Sequence, residues 1–129
     1  MTHEGGCLCG AVRWKATGEP VNIGYCHCRQ CQKATGAPFF VRAVFPQDAV
    51  SVEGNTEQFP SSDRLWRVFC RECGTRLFGK RTDGSVMGIS LGTFDDPDAL
   101  APAMHMFVSE KVGWLSIDDG LPQHAKRPE

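Results

Sequence analysis

The sequence predicts a mainly β domain of short antiparallel strands with few short helical turns. Three observations predict it. Apolar residues recur at a period of two, as where Val12, Trp14 and Ala16 alternate with Arg13 and Lys15. Short runs rich in Val, Phe and Trp are separated by turn clusters such as Glu19-Pro20, Glu53-Gly54-Asn55 and Thr82-Asp83-Gly84. No long amphipathic helical stretch interrupts them.

The elements follow in order. After the strand around Val12–Ala16, the best helical candidate is Arg29–Thr35, about two turns, stopped by Gly36 and Pro38. Strand-like runs come next at Pro38–Phe45, Val50–Glu53, Leu65–Phe69, Thr75–Phe78, Val86–Leu91, Met104–Val108 and Trp114–Ile117. Asp95-Asp96-Pro97 reads as a turn into a short helix. Trp14, Trp66 and Trp114 read as core or strand-face aromatics. The domain is expected over residues 3–117, with 118–129 a polar tail whose end, Gln123–Glu129, frays.

A chain of 129 residues is long enough for one domain with one moderate core. With 41% apolar and 22% charged residues it is not a disordered tail protein. A net charge of −1 argues against a general nucleic-acid or membrane-surface binder. The charge is uneven, however: residues 1–81 hold 11 Lys/Arg against 7 Asp/Glu, and residues 82–129 hold 3 against 8. The cationic excess lies on the part that carries every cysteine, which fits either two oppositely charged faces or an anion-attracting site. The first residues show no basic region followed by an apolar run, and no window approaches the ~18–20 apolar residues of a membrane span. A reducing cytoplasmic setting is therefore expected, where clustered cysteines more often bind metal than form bridges.

The cysteines fall in three groups: Cys7-Leu8-Cys9, Cys26-His27-Cys28-Arg29-Gln30-Cys31 and Cys70-Arg71-Glu72-Cys73-Gly74. A C-x-x-C turn aims two thiolates at one ion, and a following glycine relieves the tight backbone. Sulfur ligands favour zinc over magnesium or calcium. The seven divide as four plus three. Cys7, Cys9, Cys70 and Cys73 can close one structural site, and Cys26, Cys28 and Cys31 can fill three corners of a second, leaving the fourth open as at a catalytic zinc. Other readings stand beside this one: a redox C-x-x-C at Cys28/Cys31 or Cys70/Cys73, a four-cysteine iron site, or His27 as a fourth ligand to the triplet. Between two ligands, the His27 side chain is expected to point away.

Gly5-Gly6-Cys7-Leu8-Cys9-Gly10-Ala11-Val12, Cys26-His27-Cys28-Arg29-Gln30-Cys31 and Phe69-Cys70-Arg71-Glu72-Cys73-Gly74-Thr75 together resemble the glutathione-dependent formaldehyde-activating enzyme family, which includes centromere protein V-like domains. Gly36-Ala37-Pro38-Phe39 and Gly92-Thr93-Phe94-Asp95-Asp96-Pro97 add to the resemblance. It implies a β-tent fold holding one structural Cys₄ zinc and one catalytic Cys₃ zinc, two zinc ions per chain. It also implies a carbon–sulfur lyase whose thiol and aldehyde partners are glutathione and formaldehyde. No separate general acid or base is assigned.

Four further residues are substrate-binding candidates. Arg29 and Lys33, on the helical turn beside the triplet, can offset charge or hold glutathione carboxylates, or be solvated surface charges. Phe39 can floor a pocket or pack in the core, and His105 can shuttle a proton or be a satisfied half-buried side chain. The alternative to an enzyme is a zinc-stapled module that binds a protein or nucleic acid. The dispersed Lys and Arg make a nucleic-acid partner the weaker choice.

Overall fold

A computed structural model describes residues 1–128. Its strands are β1 (Thr2–Gly6), β2 (Arg13–Thr17), β3 (Asn22–Cys26), β4 (Phe40–Pro46), β5 (Val50–Glu53), β6 (Thr56–Ser62), β7 (Leu65–Cys70), β8 (Arg76–Arg81), β9 (Val86–Ser90) and β10 (Met104–Met106). The α-helix, α1, spans Arg29–Thr35, as the sequence predicts. Gly36 ends it in the left-handed conformation, φ 70°, and its N–H bonds to the Gln32 carbonyl.

The strands form a three-stranded sheet, β1-β2-β5, and a seven-stranded sheet, β10-β3-β4-β9-β8-β7-β6. Every pair is antiparallel except β10 with β3, which is parallel, with Met106 opposite Cys26. The fold is thus mainly β with short antiparallel strands, as the sequence predicts, and one parallel pair stands at its edge. The long return from β9 allows it, since a parallel neighbour needs a crossover rather than a hairpin.

The core lies between the two sheets. Val12, Trp14 and Ala16 face it from β2 and the turn before it, against Phe45, Leu77 and Ile89. The sheets are also tied by an isolated bridge between Gly5 and Phe94 and by a bidentate ion pair between Arg13 and Asp95. A second, smaller cluster joins Cys26, Cys31 and Met106 to Met104, Phe40 and Phe107.

Several expectations are corrected. Trp114–Ile117 forms no strand and pairs with none of the strands of either sheet, and Trp114 is 73% exposed. Asp95-Asp96-Pro97 is a turn that leads into no helix; the short 3₁₀ turn, Leu91–Thr93, comes before it. The end of the chain does not fray over Pro122–Lys126. The His105 and Phe107 amides bond to the Pro122 and Lys126 carbonyls, and the His124 amide bonds back to His105. Paired backbone of this kind holds a polar segment in place without apolar burial. Glu129 lies outside the described residues. No helix among the described residues is long and apolar enough to cross a membrane.

Candidate metal centres

The first cysteine group sits where two strand pairs turn. Cys7 follows β1, Cys9 lies in the β1–β2 connection, Cys70 ends β7, and Cys73 lies in the β7–β8 turn. Gly74 takes φ 78°, the left-handed value that lets the chain fold back tightly after Cys73. All four sulfurs lie within 4.8 Å of one another, with Cys7–Cys9 at 3.6 Å and Cys9–Cys70 at 3.9 Å. A tetrahedron with metal–sulfur bonds of ~2.3 Å has sulfur–sulfur edges of about 3.8 Å. A disulfide would need about 2.05 Å, and all seven cysteines are free.

Backbone amides are aimed at these sulfurs. Val12 N–H donates to Cys7 Sγ, and the Glu72 and Cys73 amides donate to Cys70 Sγ at 3.3 and 3.4 Å. The Thr75 hydroxyl lies 3.2 Å from Cys73 Sγ, and that hydrogen bond brings the Cys73 thiol down to about 5. Donors around a sulfur stabilise the thiolate that a metal requires.

The second group is built by the end of β3 and the start of α1. Cys26 ends the strand, Cys28 caps the helix by accepting from the Cys31 amide, and Cys31 lies in the first turn. The three sulfurs lie within 4.8 Å, Cys26 and Cys28 at 3.4 Å. Hydrogen bonding from Cys26, then from Cys31, lowers the Cys28 thiol to about 2, while the same sharing pushes Cys26 up. Among the described residues these two groups bring His, Cys, Asp or Glu ligand atoms together in a form that could bind metal ions.

His27 is not in the triplet. Its Nε2 lies 2.9 Å from His105 Nδ1, and His105 Nε2 lies 2.7 Å from Asp119 Oδ2. His105 also stacks on Tyr25 at 4.2 Å, with the rings 4° from parallel. Asp119 accepts from His105 Nε2–H, so His105 Nδ1 accepts from His27 Nε2–H, and the His27 Nδ1 lone pair is left buried without a partner. Burial holds the His27 ring below the ordinary imidazole value, and the bond from His105 lowers the Asp119 carboxyl.

The candidate binding residues separate. Lys33 is exposed on α1 and lines a cavity of about 580 Å³. Arg29 is exposed and is turned to its own helix, donating from its guanidinium to Gln32 Oε1 while its amide bonds to Glu110. Phe39 is half-buried, edge-on to Tyr25 at 5.4 Å, and lines a different, smaller hollow of about 360 Å³. His105 is 3% exposed and lines neither of these two hollows.

Three arginines near the triplet escaped the sequence reading. Arg67 is 7% exposed, with Nη1 3.9 Å from Cys31 Sγ and Nε donating to Ser61 at 2.9 Å. Arg76 donates from Nη1 to the Ala34 carbonyl at 2.9 Å; burial and the adjacent Arg67 charge lower it. Arg42 bonds to Asn22 and lies close enough to feel all three triplet sulfurs. The available signal was Arg67 itself, an arginine inside the apolar run Leu65–Phe69.

A model of the family described as glutathione-dependent formaldehyde-activating enzyme matches residues 2–110, which takes in all seven cysteines. An uncharacterized lyase of Schizosaccharomyces pombe is 35% identical over 82 residues, covering 64% of this chain and 60% of that protein. An Aspergillus flavus protein named "putative glutathione-dependent formaldehyde-activating enzyme" is 31% identical over 113 residues, covering 84% of this chain and 53% of that protein. The chain thus spans just over half the length of these relatives. The crystal structure of a Rhodobacter sphaeroides protein shares the fold, with a TM-score of 0.56 at 23% identity over 77% of this chain and 91% of that one. With the family match spanning 2–110 and the paired cysteine groups inside it, the chain belongs to the glutathione-dependent formaldehyde-activating enzyme family.

Proposed function

We propose that Cys26, Cys28 and Cys31 hold a zinc ion at a reacting centre, that Cys7, Cys9, Cys70 and Cys73 hold a structural one, and that the chain joins glutathione to formaldehyde as S-hydroxymethylglutathione. One observation carries this reading: three sulfurs converge, one short of a tetrahedral set, and Arg67 links them to a cavity of about 580 Å³. The family match and the name of the Aspergillus relative support the substrates. Zinc bound there supplies Lewis acidity that lets a thiol ionise near neutral pH.

The chain's own residues do the rest. The Cys31 amide fixes Cys28 Sγ, and the Arg67 guanidinium beside Cys31 offsets negative charge gathered on sulfur. The His27–His105–Asp119 chain braces the peptide between Cys26 and Cys28 through the His27 ring. In the reaction the thiolate sulfur bonds to the formaldehyde carbon, the carbonyl π pair moves to oxygen, and that oxygen takes up the proton the thiol released. Nothing is oxidised or reduced.

Exchange NMR with ¹³C-formaldehyde and glutathione tests this. The wild-type chain, carrying about two zinc ions, is expected to speed interconversion of free and adduct carbon, and Cys28→Ser is expected to abolish the effect. Equal acceleration by Cys28→Ser, or none by the wild type, would overturn it.

A further inference from the structure

Arg67, buried on β7, and Arg76, half-buried on β8 opposite Phe69, lie diagonally across the strand pair, reach Cys31 and the Ala34 carbonyl of α1, and line the same cavity as Lys33 and Gln30. Neither meets a carboxylate among the described residues, whose ion pairs lie elsewhere: Arg13–Asp95, Lys15–Glu4, Arg71–Glu57 and His105–Asp119. Buried charges are ordinarily paired, because desolvating one guanidinium beside another is unfavourable twice over. Arg76 moreover leaves its Nε buried with no acceptor. The nearest sulfur of the triplet, Cys31 Sγ, is in contact with Arg67 alone and leaves the Arg76 fork without an anionic partner in contact.

Two forked cations, an unfilled donor and a cavity beside them specify a missing anion. We infer that Arg67 and Arg76 form an anion subsite that takes a carboxylate of the thiol substrate, with Lys33 at the rim. Guanidinium and carboxylate match as planar, bidentate partners. Phe69 and the 62%-exposed Phe59 give the cavity apolar walls for the methylenes between carboxylate and sulfur. A volume of about 580 Å³ is in the range of sites for ligands of tripeptide size. The inference rests on the triplet as the reacting centre and adds what selects the substrate: an acidic thiol is held by its carboxylate so that its sulfur reaches Cys31 and its neighbours. It assigns selection to β7 and β8 rather than to Arg29.

The test compares glutathione with its diethyl ester, in which both carboxylates are blocked. The wild-type chain is expected to favour the acid over the ester in kcat/KM by about tenfold or more, the worth of a charged hydrogen bond. Arg76→Gln is expected to remove most of that ratio, and Arg76→Lys to retain part of it. An acid-to-ester ratio near one in the wild type, or an undiminished ratio in Arg76→Gln, overturns the subsite. If Arg76→Gln does not fold, the wild-type ratio and its decline with salt decide alone. S-methylglutathione, which cannot react, separates this inference from the lyase reading. Amide NMR shifts on α1 and β8 that need Arg76, in a chain without turnover, keep the subsite and remove the lyase. Turnover with an unchanged ratio does the reverse.

Discussion

A methyl group on Gly5 would stand 2.1 Å from the Thr93 carbonyl oxygen and 2.4 Å from the Trp14 ring. Gly5 is thus where β1 closes on the turn that follows β9, and the approach is held by Trp14 Nε1–H donating to Thr93 Oγ1 at 3.1 Å. Gly5→Ala is expected to lower stability by about 1–3 kcal/mol through overpacking. Gly92→Ala, where nothing lies within 4 Å, should change it far less. Urea unfolding of the two variants checks the contrast. At this scale the two cysteine groups were legible, because a cysteine carries its chemistry in its identity. The arginines beside the triplet were not, since an arginine's meaning depends on which charges the fold brings beside it.

Two elements distant in sequence share one interior contact. His27 precedes α1 and His105 lies in β10, 78 positions on, yet both rings are almost wholly buried and bonded to each other. Replacing His105 by Phe removes the only acceptor of His27 Nε2–H, and leaving a buried donor unpaired costs about 1–3 kcal/mol. Replacing both rings by Phe is expected to cost less than the sum of the single changes, because no donor is then stranded. A double-mutant cycle by thermal melting measures the difference; strict additivity would mean the rings are not coupled.

The same contact shows why some elements could be read and others not. Val50–Glu53 and Arg29–Thr35 announce themselves by local pattern and by a glycine stop. β1 buries a histidine and a glycine on its inward face, so no apolar alternation marks it. β6 is an almost wholly exposed edge with Pro60 at its bulge, and β3 carries Asn22 and Gly24 among its five residues. Tertiary partners, rather than propensity, make these segments strands.

Across the whole molecule the two cysteine groups occupy different mechanical positions. Cys7 and Cys70 belong to the main core, whereas Cys26 and Cys31 belong to the satellite cluster. Cys9 and Cys70 are 61 positions apart, so an ion held there would close a long loop and its binding energy would be folding energy. Cys73→Ser is expected to lower stability by at least about 3 kcal/mol, a fall of roughly 10 °C or more in Tm. Cys28→Ser, which opens only a six-residue segment, should shift Tm by a few degrees at most. Circular dichroism melts compare them, and equal losses would make both sites structural. The four-plus-three partition was visible from spacing alone, but this difference in consequence depends on which core each group joins.

The parallel pairing of β3 with β10 also bears on how the chain is made. A ribosome releases Cys26, Cys28 and Cys31 early, but the strand that covers their edge, and the Asp119 that anchors His105, emerge only some eighty to ninety residues later. The β1–β2 hairpin and the β7–β8 hairpin can meet and close the Cys₄ group before then. A nascent chain that closed the first group in this way would carry one completed thiol cluster while the triplet still lacked its covering strand. Slow synthesis between residues 81 and 104 would lengthen the exposure of the sulfurs of Cys26, Cys28 and Cys31.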